Sequence, residues 1–97
     1  MSRLLTDDEV RRQLSDLTGW SKVDGEPAIR TVTELADFAA ALDYVNRVGD
    51  LAEAANHHPD IDIRWNRVTL TLSTHSAGGL TQADFELAHQ IAQLGQA

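Results

Sequence analysis

Three of the four histidines in the chain fall within two short stretches, and histidine is the side chain that most readily exchanges protons near neutral pH. His57 and His58 are adjacent in "NHHP", and His75 follows in "LSTHSAGGL". Imidazoles held close together resist joint protonation, so one ring can be charged while a neighbour stays neutral. If the two stretches meet in the fold, these residues predict a site for general acid–base catalysis.

A predicted hairpin between the two stretches gives them a reason to meet. Polar and apolar residues alternate on both sides of Asn66-Arg67, which we interpret as a two-residue turn. This turn places Trp65 opposite Val68 and keeps apolar residues facing one another along one side of the hairpin. Extended beyond the strands, the same register brings His58 close to His75.

The helix that precedes the hairpin should add the third histidine. The segment "TELADFAAALDYVNRVGDLAEAANHHP" has the longest helical periodicity, with Thr33 as its N-cap and an end near Asn56. His57 then lies at the helix C-terminus, where the preceding Glu53 carboxylate is expected to support a protonated ring. The stripe expected to face the core consists of Leu35, Phe38, Leu42, Val45, Gly49 and Ala52.

The remaining segments predict a small α+β domain. Thr6 and Glu9 have the spacing of a capping box and indicate the start of a first helix. The segment "WSKVDGEPAIRTVT" predicts two strands around a turn, and "LTQADFELAHQIAQL" predicts a last helix with Thr81 as N-cap and Asp84 in its first turn. The element order is therefore α-β-β-α-β-β-α. We expect one domain over residues 1–97, with three helices packed on one face of a four-stranded antiparallel sheet.

Composition excludes several classes of function. A formal net charge of −7 argues against a surface built to contact nucleic acid directly. The chain has no cysteine, so it has neither disulfides nor thiolate metal sites. It contains no apolar run long enough to span a membrane, and its N-terminus lacks the apolar segment of a signal peptide. We therefore expect a cytoplasmic protein that contacts no membrane.

Each candidate residue also has an ordinary structural explanation. His57 alone could cap a helix C-terminus, His58 alone could be a surface residue, and Trp20 and Trp65 are expected to pack in the core. Three neutral imidazoles could also hold zinc, although two adjacent histidines turn toward one ion with difficulty. The expected convergence of the three rings favours acid–base catalysis without a metal.

The stretch from Glu53 to Asp84, "EAANHHPDIDIRWNRVTLTLSTHSAGGLTQAD", resembles the signature of the pterin-4a-carbinolamine dehydratases. The resemblance includes the His57-His58-Pro59 run, the strand "VTLTLSTH" and the segment "GLTQAD". Gly19-Trp20, after the first predicted helix, also resembles the family. The family fold, a four-stranded antiparallel sheet with three helices against it, agrees with the predicted element order. Ile61 is a departure, since some members have a tryptophan beside the pocket there.

The resemblance implies a dehydratase that removes water from 4a-hydroxytetrahydropterin to give quinonoid dihydropterin and so recycles a tetrahydropterin cofactor. It implies neither a metal nor a tightly held cofactor. By position, His57, His58 and His75 match the catalytic histidines of the family. From their expected convergence we hypothesise that His57 is the acid, His75 the base and His58 the residue that orients the pterin, with acid and base interchangeable. The positions implied to bind substrate are Glu53, Pro59, Thr74, Ser76, Ala77 and Asp84.

The resemblance also implies partners. Family members are homodimers or homotetramers, and their product serves aromatic amino-acid hydroxylases. Two alternatives stay open at this point. The chain could be a protein-binding module of the same fold, because the family resembles dimerisation cofactors of transcription factors. It could also be a dehydratase that acts on another pterin.

Overall fold

The computed structural model describes residues 3–94, which form three α-helices and four β-strands in the predicted order. The helices are α1 (Asp7–Leu14), α2 (Phe38–Ala55) and α3 (Gln82–Leu94). The strands are β1 (Trp20–Lys22), β2 (Ile29–Glu34), β3 (Asp60–Arg64) and β4 (Arg67–Leu72), and a one-turn 3₁₀ helix, His75–Ala77, precedes α3. Within residues 3–94, no helix is long and apolar enough to cross a membrane.

The four strands form one antiparallel sheet in the order β1-β2-β4-β3, so the predicted fold class is confirmed. Alternation along the central strands buries one side of the sheet. Ile29 and Leu72 face each other across β2 and β4 and are fully buried, while the adjacent Arg30 is exposed. Val48 of α2 and Phe85 of α3 complete this core. Burying each such side chain contributes about 1.5–3 kcal/mol.

The first helix begins as predicted. Thr6 and Glu9 form a reciprocal capping box, with the Thr6 N–H donating to Glu9 Oε1 at 2.8 Å and the Glu9 N–H donating to Thr6 Oγ1 at 3.1 Å. The Arg3 guanidinium also donates to the Glu9 carboxylate. The Arg3 hydrogen bond, followed by the bond from the Thr6 backbone, lowers the pKa of Glu9 to about 2.

Helix α2 differs from the prediction at its start and in its buried face. Its N-cap is Asp37, not Thr33, because β2 continues to Glu34 before the chain turns. The residues of α2 that face the core are Ala41, Tyr44, Val48 and Ala52, while the predicted core residues Phe38 and Leu42 are 48% and 42% exposed. Two apolar stripes run side by side on this helix, and the stripe with small alanines packs on the sheet.

The hairpin also differs from the prediction, since its turn is Trp65-Asn66 and not Asn66-Arg67. Val68 therefore faces Ile63 instead of Trp65, a shift of two residues. A two-residue shift keeps each side chain on its predicted face of the sheet, so the alternation of polar and apolar residues is equally consistent with both registers. The Asn66 side chain donates to Leu35 O at 2.9 Å, and the Leu35 N–H donates to Asn66 O at 2.8 Å. These bonds fix the turn and leave Trp65 66% exposed, outside the core.

Candidate acid–base site

The end of α2 places His57 beside α3. Asn56 takes the left-handed conformation at φ 49°, which ends the helix as predicted, and the His57 N–H donates back to Ala52 O at 3.0 Å. This turn directs the His57 ring away from the face of α2. Its Nε2 lies 2.5 Å from Asp84 Oδ1 in the first turn of α3, and its side chain is 14% exposed.

Asp84 is the buried centre of this arrangement. Its side chain has no exposed surface. One oxygen contacts His57, and the other accepts from Thr74 Oγ1 at 2.8 Å and from the Thr81 N–H at 2.9 Å. A buried carboxylate needs such donors, because burying it unpaired would cost several kcal/mol. Thr81 precedes α3 as predicted, and its N–H donates to the carboxylate three residues later, the backbone-to-side-chain bond typical of a capping box.

The loop that holds His75 is fastened to the same carboxylate through Thr74. The Thr74 N–H donates to Gly79 O at 2.9 Å, and the Gly79 N–H donates to Thr74 O at 3.3 Å. Gly78, at φ 77°, closes the loop in a conformation that suits glycine. The side chains of His75 and Ser76 are exposed on this closed loop, and Ala77 is half-buried.

His58 has a partner of its own on the surface. Its Nε2 lies 2.5 Å from Glu53 Oε2, and both side chains are more than half exposed. The prediction that Glu53 supports His57 is therefore wrong, because the left-handed turn at Asn56 directs His57 toward Asp84. Pro59 follows as a half-buried residue, and Ile61 is 41% exposed on β3.

Asp84 connects the two histidine stretches, and the hairpin register does not. With β4 shifted by two residues, the register would carry His58 toward Ser73 instead of His75. His57 is instead joined to the residue before His75 through the Asp84 carboxylate. Sequence reasoning missed the part played by Thr81, whose hydroxyl lies 2.8 Å from Thr74 Oγ1. The sequence feature that points to Thr81 is its position three residues before Asp84, which is the spacing of a capping box.

A cavity lies elsewhere in the molecule. It has a volume of about 660 Å³ between β2, α2 and α3, and its lining includes Trp20, Tyr44 and His89 but none of His57, His58 and His75. Cavity size alone does not supply acid–base groups, so we consider the region around Asp84, with His57 and the loop that carries His75, the better candidate for a reaction site. Within residues 3–94, no three histidine or acidic side chains are arranged to hold a metal ion.

Comparison with known proteins identifies the family. The family described as pterin 4 alpha carbinolamine dehydratase matches residues 3–94. A relative from Roseiflexus castenholzii, provisionally named a pterin-4-alpha-carbinolamine dehydratase, is 54% identical over 94 residues that cover 97% of this chain and 99% of the relative. The chain therefore belongs to the pterin-4-alpha-carbinolamine dehydratase family.

Two solved structures share the fold. The crystal structure of a transcriptional coactivator/pterin dehydratase from Brucella melitensis superposes with a TM-score of 0.92 at 36% identity, covering 95% of this chain and 98% of that one. A pterin dehydratase-like protein described as a RuBisCO assembly factor in the alpha-carboxysome superposes with a TM-score of 0.68 at 19% identity, covering 81% and 92%. At that identity the second structure bears on the fold alone.

Proposed function

We propose that this chain catalyses the loss of water from 4a-hydroxytetrahydropterin, giving quinonoid dihydropterin, through acid–base catalysis by His57, His58 and His75. Family membership supports the reaction class. The observation that carries the proposal is the Asp84 carboxylate, which binds the His57 ring and fastens the His75 loop through Thr74. An imidazole held by a buried carboxylate, with two exposed imidazoles on the segments that this carboxylate joins, is suited to moving protons.

The dehydration requires two proton transfers. The C4a–O bond breaks as the departing hydroxyl receives a proton, and N5 loses its proton as the C=N bond forms, so that one water leaves. We assign His57 as the acid and His75 as the base, although the two roles can be exchanged. His58, paired with Glu53, orients the pterin. Each acid–base transfer is expected to contribute ~100- to 10,000-fold to the rate.

The substrate is proposed to lie against the loop and the turn that carry the histidines. Family positions assign pterin contacts to Glu53, Pro59, Thr74, Ser76 and Ala77. Asp84 was predicted to join them, but its side chain is fully buried, so we propose that it acts on the pterin only through His57. The chain requires no metal in this mechanism, because both transfers use imidazole groups.

Measuring dehydration of a synthetic 4a-hydroxytetrahydropterin tests the proposal. The purified chain should accelerate water loss above the spontaneous rate, and His75→Ala should remove ~100-fold or more of that acceleration. His89→Ala is a matched control, since His89 lies on α3 at the separate cavity. A His75→Ala variant with full activity would refute the role of His75. Pterins with different side chains would then define the preferred substrate and show whether it is a hydroxylase cofactor.

We also propose that the chain forms a homodimer or homotetramer. Phe38 and Leu42 are one helical turn apart on α2, and both are more than 40% exposed. Trp65 is exposed in the turn that Asn66 fastens to Leu35, just ahead of α2. Large exposed apolar residues that are neighbours on a helix, as Phe38 and Leu42 are, are typical of an interface. Light scattering at micromolar concentration should give a mass of two or four chains, and the mass of one chain would refute the proposal.

A protein-binding role is the second candidate. It is favoured by the same exposed apolar residues of α2 and by the structural neighbour from Brucella melitensis, which is named a transcriptional coactivator/pterin dehydratase. A chain that failed to accelerate dehydration but bound one partner protein in a fixed ratio would support this role. Binding retained by the His75→Ala variant would show that the two functions are separable.

A further inference from the structure

The hydrogen bonds around Asp84 have only one consistent direction. An ionised carboxylate accepts hydrogen bonds and donates none. Thr74 Oγ1, 2.8 Å from Asp84 Oδ2, must therefore donate its single hydroxyl proton to Asp84. Thr81 Oγ1 lies 2.8 Å from Thr74 Oγ1, and Thr74 has no proton left to give. The Thr81 hydroxyl is consequently the donor in that pair.

The same reasoning determines which nitrogen of His57 carries a proton. Asp84 Oδ1 can only accept, so His57 Nε2 at 2.5 Å must be the protonated nitrogen even when the ring is neutral. Within the described part of the chain, no protein group hydrogen-bonds His57 Nδ1, and no buried side-chain nitrogen or oxygen lacks a partner. Nδ1 is therefore accessible to solvent.

We infer that Asp84 is a positioning residue that holds neutral His57 as the Nε2–H tautomer, so that Nδ1 is the nitrogen that exchanges a proton with the substrate. This inference rests on the proposed function for its catalytic part. Thr81 and Thr74 belong to the device, because the Thr81 N–H and the Thr74 hydroxyl occupy Oδ2 and leave Oδ1 to the histidine. As an acid, His57 would release the Nδ1 proton while Nε2–H stays bonded to Asp84.

Asp84→Asn provides a sharp test because the surrounding donors fix how the amide is oriented. Thr81 N–H is a donor with no alternative, so the amide oxygen must take the place of Oδ2. The amide NH₂ then faces His57 Nε2 and must donate to it, which forces the proton of the neutral ring onto Nδ1. The substitution is close to isosteric, and amide NMR spectra would establish that the fold is retained.

The tautomer can be read directly by ¹⁵N NMR of the His57 ring, at a pH above the usual histidine range, about 8.5 or higher. In the unsubstituted chain, Nε2 should have the chemical shift of a protonated nitrogen and Nδ1 that of an unprotonated one. Asp84→Asn should reverse this pattern. An unsubstituted chain with the proton on Nδ1, or an Asp84→Asn variant with an unchanged pattern, would overturn the inference.

Thr81→Val is the matched control. It removes the hydroxyl from the same network but leaves both the residue 81 N–H and the Thr74 hydroxyl on Asp84, so the Nε2–H tautomer should remain. A reversed tautomer in Thr81→Val would count against the inference, because loss of packing alone would then be sufficient.

The dehydration assay tests the catalytic part separately. A folded Asp84→Asn variant with a reversed tautomer should lose the His57 contribution, ~100- to 10,000-fold in rate. Full activity with the reversed tautomer would overturn the assignment of Nδ1. If the unsubstituted chain did not accelerate dehydration at all, the proposed function would fail, while the NMR pattern would still decide the tautomer.

Discussion

Asp84 is fully buried, and its carboxylate forms the hydrogen bonds that link His57 to the loop carrying His75. Three donors from three parts of the chain, on His57, Thr74 and Thr81, meet at one fully buried carboxylate. The sequence indicated Asp84 as an acid in the first turn of a helix, and the family resemblance placed it near the site. Its burial depends on how α2, α3 and the loop after β4 pack together, and local patterning contains no information about that packing.

Removing this carboxylate should destabilise the fold. Asp84→Ala would leave the Thr81 N–H and the Thr74 hydroxyl without their acceptor in a buried place, and we expect a loss of about 2–4 kcal/mol in the free energy of unfolding. Urea unfolding of the two chains measures it. Asp50→Ala, at an exposed position on α2, should change stability by no more than about 0.5 kcal/mol. Equal effects of the two substitutions would contradict the structural role of Asp84.

The proposed roles of His57 and His75 should give the dehydration rate a bell-shaped pH dependence. One ring must be protonated and another neutral in the same molecule, so the rate should fall toward both acid and alkaline pH. The spontaneous reaction has its own pH dependence and is subtracted at each point. A corrected profile that stayed flat from about pH 5 to about 9, through the usual histidine range, would exclude this division of roles.

Glu9 should make stability pH-dependent at the N-terminus. Its pKa is lowered from an ordinary value of 4.5 to about 2, chiefly by the Arg3 hydrogen bond. A lowered pKa in the folded state means that the contribution is complete above about pH 4.5 and is lost as the pH falls through about 2. Glu9→Gln keeps a capping side chain without the charge. The difference in melting temperature between the two chains should therefore shrink over that window, and a constant difference would contradict the assignment.

At the scale of elements, local sequence patterns predicted which segments are helices and strands, but they did not predict how the two strands of the second hairpin pair. The capping box at Thr6 and Glu9 and the left-handed end of α2 at Asn56 are local features, and both were predicted correctly. The hairpin register was wrong by two residues because the choice of turn depends on a distant contact between Asn66 and Leu35. Trp65, with a positive φ of 50°, also occupies a turn position that its residue type disfavours.

The contact between Asn66 and Leu35 leads to a prediction for the hairpin. Asn66→Ala removes the side-chain bond to Leu35 O and should lower the free energy of unfolding by about 1 kcal/mol. Asn46→Ala, at an exposed helical position on α2, should be neutral or slightly stabilising because alanine has the higher helix propensity. Urea unfolding compares the two, and an Asn66→Ala variant as stable as the parent chain would show that the turn does not need this contact.

At the scale of the whole molecule, α2 has two apolar stripes and the isolated fold buries only one of them. The prediction placed Phe38 and Leu42 in the core because periodicity shows that a face is apolar and does not show what covers it. Ala52 of the predicted stripe does reach the core, and the other buried residues of α2 are Ala41, Tyr44 and Val48. Phe38 and Leu42 are therefore left exposed on the isolated chain.

If the exposed stripe of α2 joins copies of the chain, a charge placed there should separate them. Leu42→Glu introduces a carboxylate at a position that is already 42% exposed, so the fold of each chain should be kept while burial at an interface becomes unfavourable. Light scattering should show a shift from the oligomer to the mass of one chain. Ala54→Glu, at an exposed position near the end of α2 and on a different face of the helix from Leu42, is the matched control and should leave the assembly intact. An unchanged mass for Leu42→Glu would mean that the copies meet through another surface, such as the exposed edge at Ile61 on β3.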